Sequence, residues 1–488
     1  MSPTTRRQFV QRTATAAMAL CASRVGSASD LPLATVAQDS AAPIDAAAIR
    51  RLSAEIAGQV ITPTTPVYET ARQVFNRAFD RHPALIVRCA GASDVARTLA
   101  FVQRLHLPVA VRGGGHSRAG FGVCDGGVVI DLAGLHTVDV DARRRVAHAA
   151  AGALARDVDT ATQRVGLATV MGGCPTVGVA GLTMGGGEGL LMSKYGATCD
   201  NLLSAQVVTV DGRRIEANED NNPDLFWAIR GGGGNFGVVT ALSYRLHPVT
   251  TVLAGTLTYP PGRIPELLQA FVQFVSFAPD EMNVVGEVLP SVDGPRFHML
   301  VCHCGDARHG TDLLAPLRAL APSDDRIGVA SYLATQATIN PYTAGAHFQT
   351  NLFLPTLTSD AITTINTAAT AAPPGTRVFI VPLYGAISRV PAGDTAFPLR
   401  SPGYELDIMG RWSSAEEEAE TVRWVKNLRD ALQPLSKGVY SNQLGETSDA
   451  LVRAAYGPNY ARLAMIKRKF DPANVLRLNQ NIDPNSSS

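Results

Sequence analysis

The segment VAVRGGGHS, residues 109–117, decides how the rest of the chain is interpreted. Its apolar start predicts a short buried strand, and three consecutive glycines follow. Glycine has no Cβ, so the backbone can turn sharply against a ligand, and successive N–H groups in such a turn form a nest that suits a phosphate. Arg112 adds a positive charge, and His116 follows where its side chain would meet a bound ligand. The segment is therefore either a dinucleotide site or a glycine-rich surface turn with an incidental histidine.

A Rossmann site is excluded by the order of the predicted elements, because its glycines come after a strand and before a helix. Here the glycines lead into GGVVIDL at 126–132, which predicts another strand. A formal GxGxxG occurs within RGGGGNFG at 230–237, but it follows a predicted helix and precedes a predicted strand. The chain would thus hold a pyrophosphate between a strand, a glycine turn and a further strand.

A second glycine cluster covers residues 172–189. So many glycines disfavour a helix interior, and we expect an extended chain pressed against a flat ligand. Upstream, a strand at 85–89 and a helix at 93–105, with Ser93 as its N-cap, complete a βαβ unit that ends at the glycine nest.

The length, net charge and cysteine content of the chain limit the class of protein. The 488 residues are too many for one simple core, so two or more domains are expected. A net charge of +1 gives no electrostatic reason to bind nucleic acid or an anionic membrane, and no apolar run is long enough to span a bilayer. Seven scattered cysteines do not form a dense disulfide framework, and Cys302 and Cys304 lack a zinc spacing, so no metal site is predicted.

Residues 1–29 are typical of an export signal. Two arginines, Arg6 and Arg7, precede a mildly apolar run, and small residues follow near Ala28. This is the layout of a twin-arginine signal, which predicts a periplasmic or secreted protein. An amphipathic or disordered basic tail is the alternative. Residues 30–65 are predicted to form a linker and a first helix.

The composition of the chain changes near residue 250. Glycine clusters stop there, and short alternating strands with intervening helices continue to about residue 434. This pattern predicts a second domain with an antiparallel sheet covered by helices. A distinctive tail follows from residue 435 to the end. The predicted class is α+β.

Four motifs in order resemble one known family. They are RGGGHS at 112–117, CPTVGVAGLTMGGGEG at 174–189, DLFWAIRGGGGNFGVVT at 224–240 and RLNQNI at 477–482. The chain resembles the berberine-bridge-enzyme-like FAD-linked oxidases, within the vanillyl-alcohol-oxidase or PCMH-type flavoprotein class. The resemblance implies a two-part FAD-binding domain, residues 66–249 and 435–488, around a substrate domain, residues 250–434.

The resemblance also implies how FAD is held. His116 would bond to the flavin 8α-methyl group and Cys174 to flavin C6, which makes the cofactor bicovalent; otherwise they are a loop histidine and an inert thiol. The glycines of the nest and Ser117 would hold the pyrophosphate. The full set of expected cofactor residues is Arg112, Gly113, Gly114, Gly115, His116, Ser117, Cys174, Thr176, Val177, Gly178, Gly181, Gly185, Gly186, Gly189, Val239, Asn479 and Asn481.

The catalytic residues implied by the resemblance are Tyr440, Asn442 and Tyr384. Tyr440 matches the position of a tyrosine that abstracts or assists in abstracting the substrate proton. A free tyrosine has a pKa near ~10, so a base of this kind needs a partner that lowers its pKa, and the sequence does not identify one. Both tyrosines could instead be core aromatics. Many family members have tyrosine at the position of Gln443, which changes the expected proton network.

The predicted function is oxidation of a hydroxyl group on a carbohydrate or a secondary-metabolite alcohol. Val177 matches the position that gates dioxygen in the family, so dioxygen is the expected acceptor and hydrogen peroxide the product. Alternatives are amine oxidation, oxidative C–C ring closure, a dehydrogenase with another acceptor, and a flavin-binding protein without activity. The expected partner is a small-molecule substrate, with no nucleic acid and no membrane.

Overall fold

The computed structural model describes residues 44–338 and 343–486. The predicted export signal and most of the predicted linker lie outside the described residues. The helices of the described part are α1 Ala46–Glu55, α2 Tyr68–Ala71, α3 Ala92–Arg104, α4 Ala155–Gln163, α5 Val179–Gly185, α6 Met192–Tyr195, α7 Pro223–Ala228, α8 Ile264–Phe277, α9 Ala307–Leu313, α10 Ala315–Arg318, α11 Tyr332–Thr338, α12 Ser359–Thr370, α13 Ala386–Arg389, α14 Ala415–Leu432, α15 Asp449–Tyr456 and α16 Tyr460–Phe470. Short 3-10 helices cover Thr198–Asn201, Gln433–Leu435, Ser441–Gln443 and Gly457–Asn459.

The glycine nest extends from a small sheet. Its strands are β1 Gln59–Ile61, β2 Leu85–Arg88, β3 Val109–Arg112 and β4 Val128–Asp131, in the order β1-β2-β4-β3. Of these, β2, β3 and β4 are largely buried. Strands β2 and β3 both run parallel to β4, so the predicted β2–α3–β3 unit exists with β4 inserted between its strands. Residues 113–127 connect β3 to β4 and carry the nest.

Helix α3 begins one residue earlier than expected, with Gly91 and not Ser93 at its N-cap. The reason lies in Asp94, whose carboxylate is 1% exposed. It accepts backbone N–H groups from Ala57, Gly58 and Ala90. This buried carboxylate therefore ties the helix start to the end of α1, a role that local spacing does not reveal.

A second, antiparallel sheet follows the first. The strands of this region are β5 Val138–Asp141, β6 Val146–Ala150, β7 Leu167–Ala168, β8 Leu202–Val208, β9 Arg214–Ala217, β10 Val238–Arg245 and β11 His247–Pro248. The sheet order is β5-β6-β10-β8-β9, and β7 pairs with β11. The largest core of the described chain lies among both sheets, α3, α7 and α16.

The second glycine cluster is not extended throughout, because α5 lies within it, and that expectation was wrong. All but two of the seven residues of α5 are buried, Gly181 and Met184 being the exceptions. Packing therefore compensates for the low helix propensity of its glycines. The missing side chains allow the close approach of neighbouring backbone: a Cβ on Gly178, just before the helix, would lie 2.9 Å from the Cα of Gly114.

The third sheet is antiparallel, as predicted for the region after residue 250. Its strands are β12 Thr251–Thr258, β13 Met282–Leu289, β14 Arg296–His303, β15 Asp324–Asp325, β16 Gly328–Ser331, β17 His347–Leu354, β18 Thr376–Leu383 and β19 Gly403–Arg411. The order is β15-β12-β14-β13-β18-β19-β17, with β16 also on β12. Helix α8 packs on β13 and β14, helix α14 packs on β17 and β19, and α12 packs on both helices, so one layer covers the sheet.

The C-terminal tail joins the third sheet to the glycine-rich region. Residues 437–445 run along the edge strand β17, where the amide of Phe353 bonds to Gly438 and that of Gly445 to Gln349. Beyond this segment, Lys467 and Asp471 form an ion pair with both side chains 0% exposed. The Lys467 ammonium also donates to the carbonyls of Asn235 and Leu476, which fixes the tail against the glycine-rich loop at 230–237.

Among the described residues, no helix is long and apolar enough to cross a membrane. Nor does this part of the chain bring together three or more histidine, cysteine or acidic side chains that could hold a metal ion. Its six cysteines are all free thiols: Cys89, Cys124, Cys174, Cys199, Cys302 and Cys304.

Candidate active site

A cavity of about 330 Å³ lies where the glycine nest, α5 and the C-terminal tail meet. The floor of the cavity is formed by backbone atoms of the glycine nest. Gly114 and Gly178 face each other so closely that a Cβ on Gly114 would lie 2.7 Å from the Cα of Gly178, and Gly115 adopts a φ of +71°. Only glycine accommodates both features without strain, so the nest presents backbone and not side chains to a ligand.

Two side chains at the cavity, Arg112 and Asn479, each have one buried polar atom without a hydrogen-bond partner in the described chain. Arg112 is 7% exposed; its Nη2 donates to Asp131 at 3.1 Å, and its Nη1 is unpaired. Asn479 donates its amide to Gly234 and Leu476, and its Oδ1 is unpaired. A buried unpaired group is costly unless a ligand satisfies it. A cation beside a nest of N–H groups suits a diphosphate, so these residues fit a dinucleotide.

At one edge of the cavity, the side chains of His116 and Cys174 both contact Thr176. The Thr176 hydroxyl lies 3.0 Å from His116 Nε2 and 3.4 Å from Cys174 Sγ. The imidazole and the thiol can therefore be no farther apart than the sum of those distances. Phe75 stacks on the imidazole with ring centroids 3.9 Å apart and fixes its plane.

The His116 imidazole is neutral at physiological pH. Burial, assisted by the charge of Arg118 and by His347, lowers its pKa to about 3. A neutral imidazole keeps a lone pair on one ring nitrogen, which is the form that acts as a nucleophile. No described residue hydrogen-bonds His116 Nδ1, so this nitrogen remains for a ligand in the cavity that His116 lines.

Most of the residues predicted to bind the cofactor line this cavity. They are Arg112, Gly113, Gly114, Gly115, His116, Ser117, Cys174, Val177, Gly178, Gly181, Val239 and Asn479. Tyr440 and Asn442, which were predicted to be catalytic, line the same cavity. Thr176 stands behind it, between His116 and Cys174.

Four other predicted cofactor residues do not line the cavity: Gly185, Gly186, Gly189 and Asn481. The glycines serve packing instead. A Cβ on Gly185 would collide with the Asn442 amide, and one on Gly189 would collide with the carbonyl of Met171. These positions are glycine because other parts of the protein touch them, and the motif does not distinguish the two reasons.

Tyr384 is the predicted catalytic residue that the structure does not bring to the site. Its hydroxyl donates to the backbone carbonyl of Met282, at the start of β13. Burial raises the pKa of this phenol. Tyr384 is half-buried, and its hydroxyl is held by the third sheet and does not line the cavity.

Tyr440 is fixed through both its backbone and its hydroxyl. Asn351, on β17, accepts from the amide of Tyr440 at 2.6 Å and donates to its carbonyl at 2.8 Å. The phenol oxygen accepts from the Gly187 amide at 2.8 Å and from the Asn442 side chain at 2.9 Å. Both lone pairs of the oxygen are thus engaged, and its proton remains for donation.

Two opposing effects act on the Tyr440 hydroxyl. The hydrogen-bond donors Gly187 and Asn442 favour the phenolate. Burial and the nearby carboxyls Glu188 and Glu405 disfavour the phenolate more strongly, so the pKa of Tyr440 lies well above its usual value. Tyr440 is therefore a neutral hydrogen-bond donor at rest, and the expectation of a lowered pKa was wrong.

The sequence analysis missed three carboxyl groups: Glu188 and Glu405, which interact with Tyr440, and Asp407, which interacts with Glu405. Glu188 lines the cavity. Four of their oxygens are buried without a donor in the described chain: Glu188 Oε1, both oxygens of Glu405 and Asp407 Oδ1. Carboxyls packed together without donors must share protons, because their charges cannot all be buried at once.

The surroundings raise the pKa values of these carboxyl groups to different extents. Burial, reinforced by Glu188 and Asp407, raises the pKa of Glu405 well above its usual value. Burial and the charge of Glu188 raise the pKa of Asp407 to about 7, against the opposing effects of Arg118 and Gln349. Glu405 thus holds its proton more strongly than an ordinary carboxyl group, whereas Asp407 exchanges its proton near pH 7, where a general base is most effective.

Gln443 keeps a polar network where many family members have tyrosine. Its amide oxygen accepts from Gln349 at 2.8 Å and from Arg118 at 3.4 Å. His347 accepts from Arg118 through Nε2 and donates through Nδ1 to the carbonyl of Gly345. These hydrogen-bonded side chains extend from the edge of the third sheet to the cavity.

One signal could have revealed the carboxyls. In GYELDIMGR at 403–411, two acidic residues alternate with apolar ones inside a strand that is buried almost throughout. Acidic side chains at i and i+2 of such a strand lie on one face. Similarly, Gln349 and Asn351 alternate on β17, and Asn351 pairs directly with Asp407. Alternating polar residues in buried strands therefore mark the polar wall of the site.

Comparison with known proteins identifies the family. A family model described as an FAD binding domain matches residues 83–218, and a model described as berberine and berberine like matches residues 439–483. The (R)-6-hydroxynicotine oxidase of Paenarthrobacter nicotinovorans is 32% identical over 459 residues, covering 88% of this chain and 98% of that protein. The FAD-linked oxidoreductase YgaK of Bacillus subtilis is 30% identical over 442 residues, with the same coverage.

The chain belongs to the berberine-bridge-enzyme-like FAD-linked oxidoreductases. Solved structures agree: 6-hydroxy-D-nicotine oxidase from Arthrobacter nicotinovorans has a TM-score of 0.82 at 29% identity, covering 88% of this chain and 98% of that one. A xylooligosaccharide oxidase from Myceliophthora thermophila, at 22% identity, has a TM-score of 0.81, covers 90% of this chain and 100% of that one, and shows the shared fold.

Membership of the berberine-bridge-enzyme-like family confirms the resemblance, the PCMH-type α+β fold and FAD as the cofactor. Two separate segments of this FAD-linked oxidoreductase, residues 83–218 and 439–483, match the two family models. The domain limits given in the sequence analysis stay predictions, as do the roles of individual site residues.

Proposed function

We propose that this oxidoreductase holds FAD by two covalent bonds, from His116 and from Cys174. The observation that carries the proposal is the edge at which Thr176 contacts both side chains. The 8α-methyl group and C6 lie on the same ring of the flavin, so two nucleophiles at one edge of a cavity suit them. The neutral imidazole with a free Nδ1 supports His116 as one of the two.

The rest of the cofactor site supports the orientation of FAD that these two bonds would impose. The nest at Gly113, Gly114 and Gly115 and the unpaired Nη1 of Arg112 provide donors for the pyrophosphate. Asn479, on the tail, provides an unpaired acceptor at the same cavity. The diphosphate end and the attachment edge are thus both formed by elements around the nest, and the remaining wall, formed by Tyr440 and Glu188, faces the substrate.

The proposed reaction is oxidation of a substrate hydroxyl, on a carbohydrate or a secondary-metabolite alcohol, to a carbonyl. When bound, FAD supplies at N5 the acceptor for a hydride from the substrate carbon, and dioxygen then takes the two electrons and gives hydrogen peroxide. Tyr440 donates a hydrogen bond to the substrate oxygen, because its own acceptor positions are occupied by Gly187 and Asn442.

The substrate proton passes to the carboxyl group cluster. Asp407 is partly ionised at neutral pH, and Glu188 extends the cluster to the cavity wall. In this proposal Tyr440 and Asn442 position the hydroxyl, and the cluster holds the proton. Dioxygen as acceptor is supported by Val177, a small side chain that lines the cavity three residues after Cys174.

A second candidate is oxidation of an amine. It is supported by the 32% identical hydroxynicotine oxidase and by the buried carboxyls, which could pair with a substrate ammonium. The two candidates differ in what the substrate presents to Asp407: a hydroxyl that loses a proton, or a cation.

An anaerobic substrate screen separates these candidates. Purified protein is mixed without oxygen with monosaccharides, oligosaccharides, alcohols and amines, and the visible flavin band is followed. We expect hydroxyl donors to bleach the band, and air to restore it with one hydrogen peroxide per substrate oxidised. Bleaching by amines alone would replace the first candidate by the second. A panel that leaves the band unchanged would contradict both.

We further propose export through the twin-arginine pathway, on the basis of Arg6 and Arg7. Cell fractionation tests it: the protein should leave the cytoplasm, and the double variant Arg6→Lys, Arg7→Lys should remain there. Unchanged export of the double variant would contradict the proposal.

A further inference from the structure

Thr176 stands between the two attachment residues but does not line the cavity, so its position calls for an explanation other than direct contact with the flavin. Its hydroxyl is 3.0 Å from one nucleophile and 3.4 Å from the other. A hydroxyl has one proton to donate and two lone pairs. It can therefore donate to only one of its two neighbours at a time. When it donates to one neighbour, it can only accept a hydrogen bond from the other.

The productive direction of this pair of hydrogen bonds follows from the chemistry of attachment. If the Thr176 proton points to Cys174, its oxygen accepts a proton from His116 Nε2. The imidazole then carries its hydrogen on Nε2 and a lone pair on Nδ1, the nitrogen with no partner in the described chain. The same arrangement gives the Cys174 sulfur a hydrogen-bond donor, which stabilises the negative charge that sulfur carries when it attacks. Both side chains become nucleophiles together.

The opposite direction makes both side chains unreactive. A thiol that donates to Thr176 keeps its proton, and a hydroxyl that donates to His116 Nε2 leaves the ring hydrogen on Nδ1. We propose that Thr176 is the positioning residue that couples the two flavin attachments, by fixing the His116 tautomer and supporting the Cys174 thiolate with one hydroxyl. This inference rests on the proposed two-point attachment of FAD.

The surrounding chain holds Thr176 in this position. The amide of Val177 donates to the carbonyl of Cys174, which closes a tight turn around Thr176. The first turn of α4 then captures this loop, where the amides of Ala155 and Arg156 donate to the carbonyls of Val177 and Pro175. On the other side, Phe75 stacks on the imidazole. The hydroxyl therefore has a fixed place between two fixed partners.

Each attachment balances as a two-electron oxidation. The side-chain atom donates its electron pair to a new bond, N–C for His116 and S–C for Cys174, in place of a C–H bond of the flavin. One hydrogen from the side chain, on Nε2 of His116 or on Sγ of Cys174, and one from that carbon are removed as two protons and two electrons. The electrons pass through the flavin to dioxygen, and the product is hydrogen peroxide. Thr176 only moves protons and is unchanged at the end.

The test compares three substitutions in the full chain as purified. Thr176→Val keeps the shape and removes the hydroxyl, Thr176→Ala removes it with less volume, and Thr176→Ser retains it. Peptides that carry flavin are quantified by mass spectrometry as linked to His116, to Cys174 or to both. A hydrogen bond to a charged group is strong enough that its loss should reduce the doubly linked fraction at least about tenfold.

The expected result is a loss of double linkage in Thr176→Val and Thr176→Ala, with Thr176→Ser like the wild type. Thr176→Ala keeps the test valid if the valine does not fold. Full double linkage without the hydroxyl would overturn the coupling, and so would a serine variant as defective as the valine. A wild type without a Cys174 bond would instead overturn the proposed two-point attachment itself, so the two failures are distinguishable.

Discussion

The two sides of the cavity are built in different ways. The cofactor side is formed largely by main chain from contiguous motifs, with Gly114 packed on Gly178 and the tail residue Asn479 lining the same cavity. The substrate side is formed by side chains that approach from separate segments, among them Glu188 and Tyr440. A backbone surface needs a particular run of glycines, whereas a wall of side chains needs only that folding bring a few polar residues together.

The two sides also differ in the charge that they leave unsatisfied. At the cofactor side the unpaired charged group is the Nη1 of Arg112. At the substrate side the unpaired groups are carboxyl oxygens of Glu188, Glu405 and Asp407. One end of the cavity thus suits an anion and the other suits a proton or a cation. Substitutions on the substrate side should alter turnover, and those on the cofactor side should alter flavin retention and stability.

The largest expected effect is on the substrate side. Asp407→Asn should lower turnover by roughly 10²–10⁴-fold, the usual contribution of general acid–base catalysis, and leave the flavin content unchanged. Wild-type turnover should rise as the pH passes through about 7, because burial sets the pKa of Asp407 there and the ionised form accepts the proton. The variant should lose this rise.

Steady-state rates from pH 5 to 9 and the flavin-to-protein absorbance ratio provide both measurements. Full turnover with the wild-type pH profile in Asp407→Asn would remove Asp407 from the proton path and weaken the contrast between the two sides.

The next effect concerns the tail that closes the cofactor side. Lys467→Met leaves Asp471 as an uncompensated buried charge, which typically costs about 3–5 kcal/mol of unfolding free energy. Lys469→Met is the matched control on the same helix, because Lys469 pairs with Asp224 at the surface and its side chain is 60% exposed. Surface pairs of this kind contribute about 0–1 kcal/mol. Urea unfolding of both variants gives the comparison, and equal losses would show that the buried pair does not anchor the tail.

A smaller effect is expected from the nest itself. In Gly114→Ala the new methyl group would press on the backbone of Gly178, and overpacking of this kind costs about 1–3 kcal/mol. The flavin-to-protein ratio of the purified variant should fall. Gly328→Ala is the control, since an added Cβ there meets nothing within 4 Å. A Gly114→Ala protein with full flavin content would contradict the close packing of the nest.

The smallest effect on turnover is expected for the second of two buried acids that have similar pKa values. Asp159, in α4, is 2% exposed, and burial raises its pKa to about 7 from 3.8, against a hydrogen bond from Gln336. A folded-state pKa above the unfolded value means that stability present at low pH is lost as the pH rises from about 4 to about 7. The loss for one proton is at most about 1.4 kcal/mol per pH unit.

Asp159→Asn should remove this slope and leave turnover unchanged, because Asp159 neither lines the cavity nor interacts with the carboxyl groups of Glu188, Glu405 and Asp407. Unfolding free energies at pH 4, 6 and 8 should show the variant gaining on the wild type as the pH rises. A variant with the wild-type slope would mean that Asp159 is ionised in the folded protein.

The sequence predicted the cofactor side well because its information is local. The nest, His116, Cys174 and Asn479 belong to motifs that are continuous along the chain, and the structure places them at one cavity. Local glycine content was less informative about conformation. It predicted an extended chain where α5 forms, since tertiary packing and not propensity decides that segment.

The substrate side was largely missed because its geometry is set by pairing between distant strands. Asp407 becomes a site residue only when β19 lies beside β17, and Glu188 only when α5 places the following loop beside Tyr440. Tyr384 was misplaced for the same reason, since its hydroxyl direction depends on the neighbouring strand β13. Alternating acidic residues in a buried strand were the one local sign of this wall.

The central claim is that one edge of the cavity holds FAD at two points. Its most direct measurement is mass spectrometry of peptides from acid-denatured protein, with the flavin located by its mass and absorbance. Our account predicts flavin that joins the peptide containing His116 to the peptide containing Cys174, singly linked flavin in each single alanine variant, and release of all flavin from the double variant. Wild-type protein whose flavin is fully extracted by acid would contradict it.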